Sequence, residues 1–254
     1  MSKLRAFLVH LGLSAAIVGA VCATIFLVWY PHPYFAAKGA WDVLRVLVGV
    51  DLVLGPTLTL LLFKPQKPGL LFDLSVIASI QLSALLYGTT VIYQERPYFA
   101  VFAVDRFQVL ARRDVDASQI GADELSDKPL AGPILAVAVL PEDPKEFQAL
   151  LEEVLFENKP DIERRPEYWH PYSSRSADVL ARGQSLTDLA KARPESRERI
   201  EAIIASMHSD GAEPIYVPLV GRGRDFTFII DGETARPIEI IDVDPWLDSA
   251  GPAG

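Results

Sequence analysis

Residues that commonly bind metals or perform catalysis are scarce in this sequence. Its 254 residues contain one cysteine, Cys22, and four histidines, and their spacing is not that of a known metal site. One cysteine also excludes a disulfide within this sequence. No serine lies in the glycine-flanked motif that positions a catalytic serine near a histidine. We therefore predict no metal, no cofactor and no catalytic residue, and we expect that the protein is not an enzyme.

Charged residues are also scarce in the first third of the chain. The first 93 residues hold 6 of the 24 basic and 3 of the 33 acidic residues, so residues 94–254 hold 18 basic and 30 acidic residues. The later part is therefore strongly acidic. Because an acidic surface repels phosphate groups, we predict that neither nucleic acid nor anionic lipid is its main partner.

Long apolar runs occupy the part that lacks charge. Residues 6–30 include no charged residue, and this run exceeds the roughly 20 residues that a helix needs to cross a hydrocarbon core of about 30 Å. It also exceeds the apolar part of a cleaved signal peptide, about 7–15 residues. Residues 41–63 and 70–93 are similar runs with aromatic or charged flanks. We predict a three-helix transmembrane bundle in the lipid bilayer over residues 1–93 and a soluble domain over residues 94–254.

Positive charges near the ends of the runs indicate how the helices are oriented. Lys3 and Arg5 precede the first run, and Lys64 and Lys67 lie between the second and the third. Flanks rich in lysine and arginine tend to stay in the cytoplasm. We therefore predict a multi-pass membrane protein with a cytoplasmic N-terminus and a C-terminal domain on the opposite side, which is the periplasm if the cell is a Gram-negative bacterium.

The soluble part mixes strand and helix patterns without regular alternation. Apolar runs at residues 98–110 and 134–140 predict two strands, and three short runs within residues 215–243 predict a meander. Helical patterns lie between these two groups of strands. Since no strict βαβ order is present, we predict an α+β periplasmic domain with a mostly antiparallel sheet.

The clearest helix of the soluble part begins at Asp143 and Pro144, a capping residue followed by a proline that suits the first helical turn. An apolar face follows, formed by Phe147, Leu150, Leu151, Val154 and Leu155. We predict that Phe147, Leu151 and Leu155 are buried against the sheet.

One acidic residue, Asp51, lies near the middle of a predicted span. A carboxylate there costs about 2.5–3.5 kcal/mol on insertion scales, so it must face protein or water. At about 1.5 Å of rise per residue, Gln81 of the third span lies at the same depth, and Ser14 of the first span lies slightly shallower. We predict an intramembrane polar contact of Asp51 with Gln81, and Ser14 is a second candidate partner. A protonated Asp51 that merely bonds a neighbouring helix and a specific role in assembly stay open as alternatives.

Two motifs of the soluble part invite a functional interpretation. Tyr168, Trp169, His170 and Tyr172 form the densest aromatic cluster outside the spans. Aromatic residues often anchor interfaces, so this cluster is a candidate partner-contact patch, with simple packing over the core as the alternative. The Gly-Arg-Gly-Arg segment at residues 221–224 is interpreted as a hairpin turn and not as a phosphate loop, because a strand pattern follows it.

Four motifs occur in an order that is characteristic of a known family. They are Val-Trp-Tyr-Pro at 28–31, Gly-Val-Asp-Leu-Val-Leu-Gly-Pro at 49–56, Phe-Ala-Val-Asp-Arg-Phe at 102–107 and Tyr-Val-Pro-Leu-Val-Gly-Arg at 216–222. Together they resemble the TfpX/TfpZ-type accessory proteins of type IV pilins over nearly the whole chain. The resemblance implies a chaperone-like inner-membrane protein whose partner is type IV pilin and which assists pilin stability or pilus assembly. A membrane-anchored periplasmic sensor or ligand-binding module is the alternative.

The predicted orientation can be tested with reporter fusions. Alkaline phosphatase folds into its active form in the periplasm, so we expect it to be active when it is fused after residue 254. A reporter that works only in the cytoplasm should be inactive at the same position. The reverse pattern would overturn the orientation.

Overall fold

The chain folds into two units. The computed structural model describes residues 2–127, 129, 132–208 and 213–247. One unit comprises Met1–Phe35 and Gly39–Arg96, and the other comprises Ala36–Lys38 and Pro97–Gly254. The chain therefore contributes two separate segments to the second unit.

Apolar helices make up the first unit. In chain order its helical elements are α1 (Lys3–Thr24), a π-helical turn (Ile25–Trp29), α2 (Tyr34–Lys38), α3 (Trp41–Gly49), a second π-helical turn (Val50–Leu54), α4 (Gly55–Leu62) and α5 (Leu70–Gln94). Helix α2 is short, and its last residues belong to the second unit. Three continuous stretches are long and apolar enough to cross a membrane, namely Lys3–Trp29, Trp41–Leu62 and Leu70–Gln94. The prediction of three membrane-length helices is confirmed.

The π-helical turn Val50–Leu54 has a cause in the sequence. Pro56 has no backbone N–H, and its ring crowds the carbonyl four residues earlier, so a regular α-helical ladder cannot continue through it. The N–H of Gly55 bonds to the carbonyl oxygen of Val50, five residues back. This local widening places Asp51 inside a π-helical turn, a feature that often marks a functional position.

Eight strands of the described residues form one sheet in the second unit. They are β1 (Phe99–Ala103), β2 (Arg106–Leu110), β3 (Ile134–Ala138), β4 (Trp169–Pro171), β5 (Gln184–Ser185), β6 (Pro214–Val220), β7 (Phe226–Asp231) and β8 (Pro237–Ile241). Their order is β4-β3-β1-β2-β6-β7-β8, and β5 pairs with β6. The helices of this unit are α6 (Pro144–Phe156), α7 (Tyr172–Leu180), α8 (Leu186–Ala192) and α9 (Arg197–His208).

The expectation of a mostly antiparallel sheet is corrected, because the sheet is mixed. β1 pairs in parallel with β3, and β2 pairs in parallel with β6, while the predicted C-terminal meander β6-β7-β8 is antiparallel. The run at 98–110 is a hairpin of two strands and not one strand, since Val104 adopts a φ of 60° and the N–H of Asp105 bonds to the carbonyl oxygen of Ala103. The hairpin reverses the chain, and a long crossover that contains helices then brings β6 beside β2 in parallel.

Helix α6 begins as predicted but buries a different face. The Asp143 carboxylate accepts the N–H of Lys145 at 2.7 Å. Leu150 is 3% exposed, whereas Leu151 and Leu155 are 42% and 69% exposed, so the predicted burial of these two residues is wrong. Phe147 is half-buried. The buried face of α6 is therefore shifted from the predicted one by one residue, which is about 100° around the helix axis. The apolar stripe of this helix is wider than the area that the core covers, so part of the stripe stays exposed.

The segment Ala36–Lys38 is built into the second unit. Ala37 is fully buried, and its carbonyl oxygen accepts the N–H of Arg222 at 2.7 Å. A Cβ at Gly221 would lie only 2.8 Å from that oxygen, so glycine allows this close approach in the β6-β7 turn. Lys38 Nζ lies 3.4 Å from Asp114 Oδ2, and burial lowers the pKa of Lys38 although the Asp114 carboxylate opposes this effect.

The two leucines of α6 provide a matched test of this fold. Leu150→Ala should lower the free energy of unfolding by about 2–5 kcal/mol, because it removes a buried side chain from the core. Leu155→Ala should change it by less than about 0.5 kcal/mol, because that side chain is exposed. Urea unfolding of the full-length protein in detergent, followed by tryptophan fluorescence, measures both. A larger loss at position 155 would contradict the described face.

Candidate functional site

Hydrogen bonds between side chains join the three membrane-length helices. Gln81 of α5 donates through Nε2 to the backbone oxygen of Asp51 at 3.3 Å and to its Oδ1 at 3.4 Å. Gln81 Oε1 lies 2.8 Å from Nε2 of His10 in α1. His10 Nδ1 lies 2.6 Å from Oγ1 of Thr59 in α4. Gln81, in the third membrane-length helix, therefore connects the first membrane-length helix with the second.

The directions of these hydrogen bonds follow from the acceptors. A backbone carbonyl oxygen can only accept, so the amide nitrogen of Gln81 must face Asp51 and its amide oxygen must face His10. His10 Nε2 then carries the proton that it donates to Gln81 Oε1. In a neutral imidazole the other nitrogen, Nδ1, accepts the hydroxyl proton of Thr59.

The π-helical turn explains why the Asp51 carbonyl is free to accept from Gln81. In a regular α-helix this carbonyl would bond to the N–H of Gly55, but that N–H bonds to Val50 instead. The next residue, Pro56, has no N–H to offer. The carbonyl is thus left without its usual partners along the helix, and the Gln81 amide compensates for them.

Close packing at Gly55 lets the Gln81 side chain reach its partners. A Cβ at position 55 would overlap with Nε2 and Cδ of Gln81. Gly49, on the same helical stretch, has no atom within 4 Å of an added Cβ among the described residues. The absence of a side chain is therefore needed at position 55 and not at position 49.

Of the three residues predicted for the intramembrane contact, the structure places Asp51 and Gln81 within hydrogen-bond distance. Ser14 is buried and lines a cavity of about 220 Å³ together with both of them. Within the part of the chain that the structure describes, Asp51 Oδ2 is buried and has no hydrogen-bond partner. The side chain thus has one oxygen that is bonded within the bundle and one that is not.

Two further residues, His10 and Thr59, belong to the network, and neither was predicted from the sequence. A signal for each was present in the helical spacing. His10 lies four residues before Ser14, and Thr59 lies eight residues after Asp51, so each shares a helix face with a residue that was predicted. Polar residues that repeat on one face of an apolar helix would have indicated these two positions.

The structure places the aromatic cluster of the second unit largely in and against the core. Trp169 is 4% exposed, and its ring packs edge-on against Phe99 with centroids 4.9 Å apart. The Tyr172 hydroxyl donates to a backbone carbonyl in the β7-β8 turn at 2.6 Å, and burial raises the pKa of Tyr172 to about 12. Tyr168, His170 and Tyr172 are half-buried. Partner contact stays a prediction, and only the half-buried members offer surface for it.

These features define a class of protein in which three membrane-length helices share a buried polar network and a mixed-sheet unit follows. The family described as fimbrial assembly protein FimB matches residues 1–39, a segment that contains His10 and Ser14. This match covers the first membrane-length helix and α2.

Proteins of Dichelobacter nodosus are similar to this chain over longer segments. The fimbrial assembly proteins of serogroup I and serogroup E1 are each 29% identical to it over 229 residues, which is 88% of this chain and 88% of each relative. The fimbrial assembly protein of serogroups C1 and C2 is 38% identical over 109 residues, 42% of this chain and 83% of that relative. No solved structure matches the chain. The chain belongs to the FimB family of fimbrial assembly proteins.

Gly49 and Gly55, both in the second membrane-length helix, provide a matched test of the network. Gly55→Ala should displace the Gln81 amide and lower the free energy of unfolding by about 1–2 kcal/mol, the scale of hydrogen bonds between membrane helices. Gly49→Ala should leave it unchanged or raise it by up to about 1 kcal/mol, because alanine favours helix and meets no neighbour. Unfolding of the full-length protein by SDS, monitored by circular dichroism, measures both. Equal effects of the two substitutions would contradict the role of Gly55.

Proposed function

We propose that the protein is an inner-membrane accessory protein of the TfpX/TfpZ type that assists type IV pilin in a chaperone-like manner. The observation that carries this proposal is the similarity to fimbrial assembly proteins over 88% of the chain, which includes parts of both units. The four sequence motifs support the finer assignment to the accessory proteins of type IV pilins.

The architecture suits this role. A pilin that awaits assembly has a long apolar helix in the inner membrane and a soluble head in the periplasm, so a protein that protects it needs a surface for each part. The three membrane-length helices supply the first surface. With a cytoplasmic N-terminus, the mixed-sheet unit after the third helix supplies the second one in the periplasm.

We further propose that the protein acts by binding and not by catalysis. Residues suited to catalysis are few in the sequence, and Gln81 bonds across helices to His10 and Asp51. Such a network favours a structural or recognition role, in which the helices present a shaped surface to a partner.

Deletion of the gene should lower the amount of pilin in the membrane and the number of surface pili, because unprotected pilin is expected to be degraded. The level of pilin messenger RNA should stay unchanged, and wild-type protein from a plasmid should restore piliation. Immunoblots, electron microscopy and transcript measurement provide the readouts. Normal piliation of the deletion strain in several growth conditions would contradict the proposal, and an altered transcript level would instead favour a sensor.

A further inference from the structure

A cavity of about 220 Å³ lies between α1 and α5, beside the polar network. Leu13 of α1 and Leu82 of α5 belong to its lining, and they are 62% and 53% exposed. The cavity therefore reaches the outer surface of the helical unit. In a bilayer this surface faces lipid or the helix of another protein.

The polar end of this cavity contains an unsatisfied group. Asp51 lines it, and Asp51 Oδ2 is buried without a hydrogen-bond partner among the described residues. A bilayer core supplies no water to compensate such a group. The terminal torsion of an aspartate is broad, so a small rotation of the carboxylate presents an oxygen to the cavity.

The size and chemistry of the cavity restrict what can fill it. A cavity of about 150 Å³ admits benzene, so this one admits a large side chain but not a whole helix. A lipid acyl chain would match the leucines but has no hydrogen-bond donor for Asp51. A side chain on a neighbouring membrane helix can match the apolar walls and also carry the donor.

We propose that this cavity is the docking site for the membrane-spanning helix of type IV pilin, which places a hydrogen-bond donor against Asp51. The identity of the partner rests on the proposed function, and the geometry of the site does not. Asp51 then has two separate tasks. Its Oδ1 accepts from Gln81 and joins the helices of this protein, and its Oδ2 receives the partner.

Photocrosslinking in living cells tests the location of the docking site. A photoreactive amino acid replaces Leu82, which lines the cavity, or Ile80, which is 57% exposed at nearly the same depth and does not line it. The two side chains point in nearly opposite directions from α5, since about 200° separates residues two apart on a helix. After irradiation, antibodies against the pilin head should detect a crosslinked product with position 82 and none with position 80.

Asp51→Asn tests the chemistry of the same site. Asparagine keeps an oxygen that accepts from Gln81, so the free energy of unfolding should stay close to that of the wild type. It replaces the second oxygen with a donor, so the crosslinking yield at position 82 should fall on the order of tenfold, as expected when a hydrogen bond to a buried acceptor is lost. Equal yields in the wild-type and the Asp51→Asn proteins would overturn the role of Oδ2.

The outcomes separate this inference from the proposed function. Crosslinks at position 82 to a second copy of this chain or to lipid only, equal pilin crosslinks at both positions, or no pilin product at either would overturn the docking site. Reduced piliation in the deletion strain would still support the proposed function in each case. Pilin captured at position 82 in a strain whose deletion leaves piliation normal would support docking and contradict the proposed role in assembly.

Discussion

The amide of Gln81 is the group on which the arrangement of the three membrane-length helices depends. It bonds to Asp51 on one side and to His10 on the other, so each of its polar atoms contacts a different helix. The hydrocarbon of a bilayer offers these polar groups no other hydrogen-bond partner. The contacts can therefore form only when each helix has one particular rotation and one particular depth. Gly55 permits the approach, and Pro56 causes the π-helical turn that leaves the Asp51 carbonyl available.

The two oxygens of the Asp51 carboxylate have different surroundings in this network. Within the described residues, one oxygen of Asp51 is bonded inside the helical unit, and the other is buried beside a cavity that reaches its surface. Polar groups in membrane helices are costly, and they are commonly kept where a protein binds something. In the docking that we propose, this unbonded oxygen of Asp51 is the atom that receives the partner's hydrogen-bond donor.

Much of this architecture could be predicted from local sequence patterns, because apolar length, capping residues and depth each depend on a few neighbouring positions. Of this kind are the three long helices, the start of α6 at Asp143 and the contact between Asp51 and Gln81. Features that depend on contacts distant in sequence were not predictable in this way. The positive φ of Val104 turned one expected strand into a hairpin, and the parallel pairing of β2 with β6 requires a crossover that no local pattern encodes. The contacts of His10 depend on how α1 is rotated about its axis, and the depth of a residue in the membrane does not determine that rotation.

A double-mutant cycle between His10 and Asp51 tests the central claim most directly. These residues are connected through Gln81, so His10→Leu and Asp51→Leu should have non-additive effects on the free energy of SDS unfolding, with a coupling of about 1 kcal/mol. The coupling should disappear when the cycle is repeated with Gln81→Leu. Additive effects in the presence of Gln81 would contradict a network that joins the three helices.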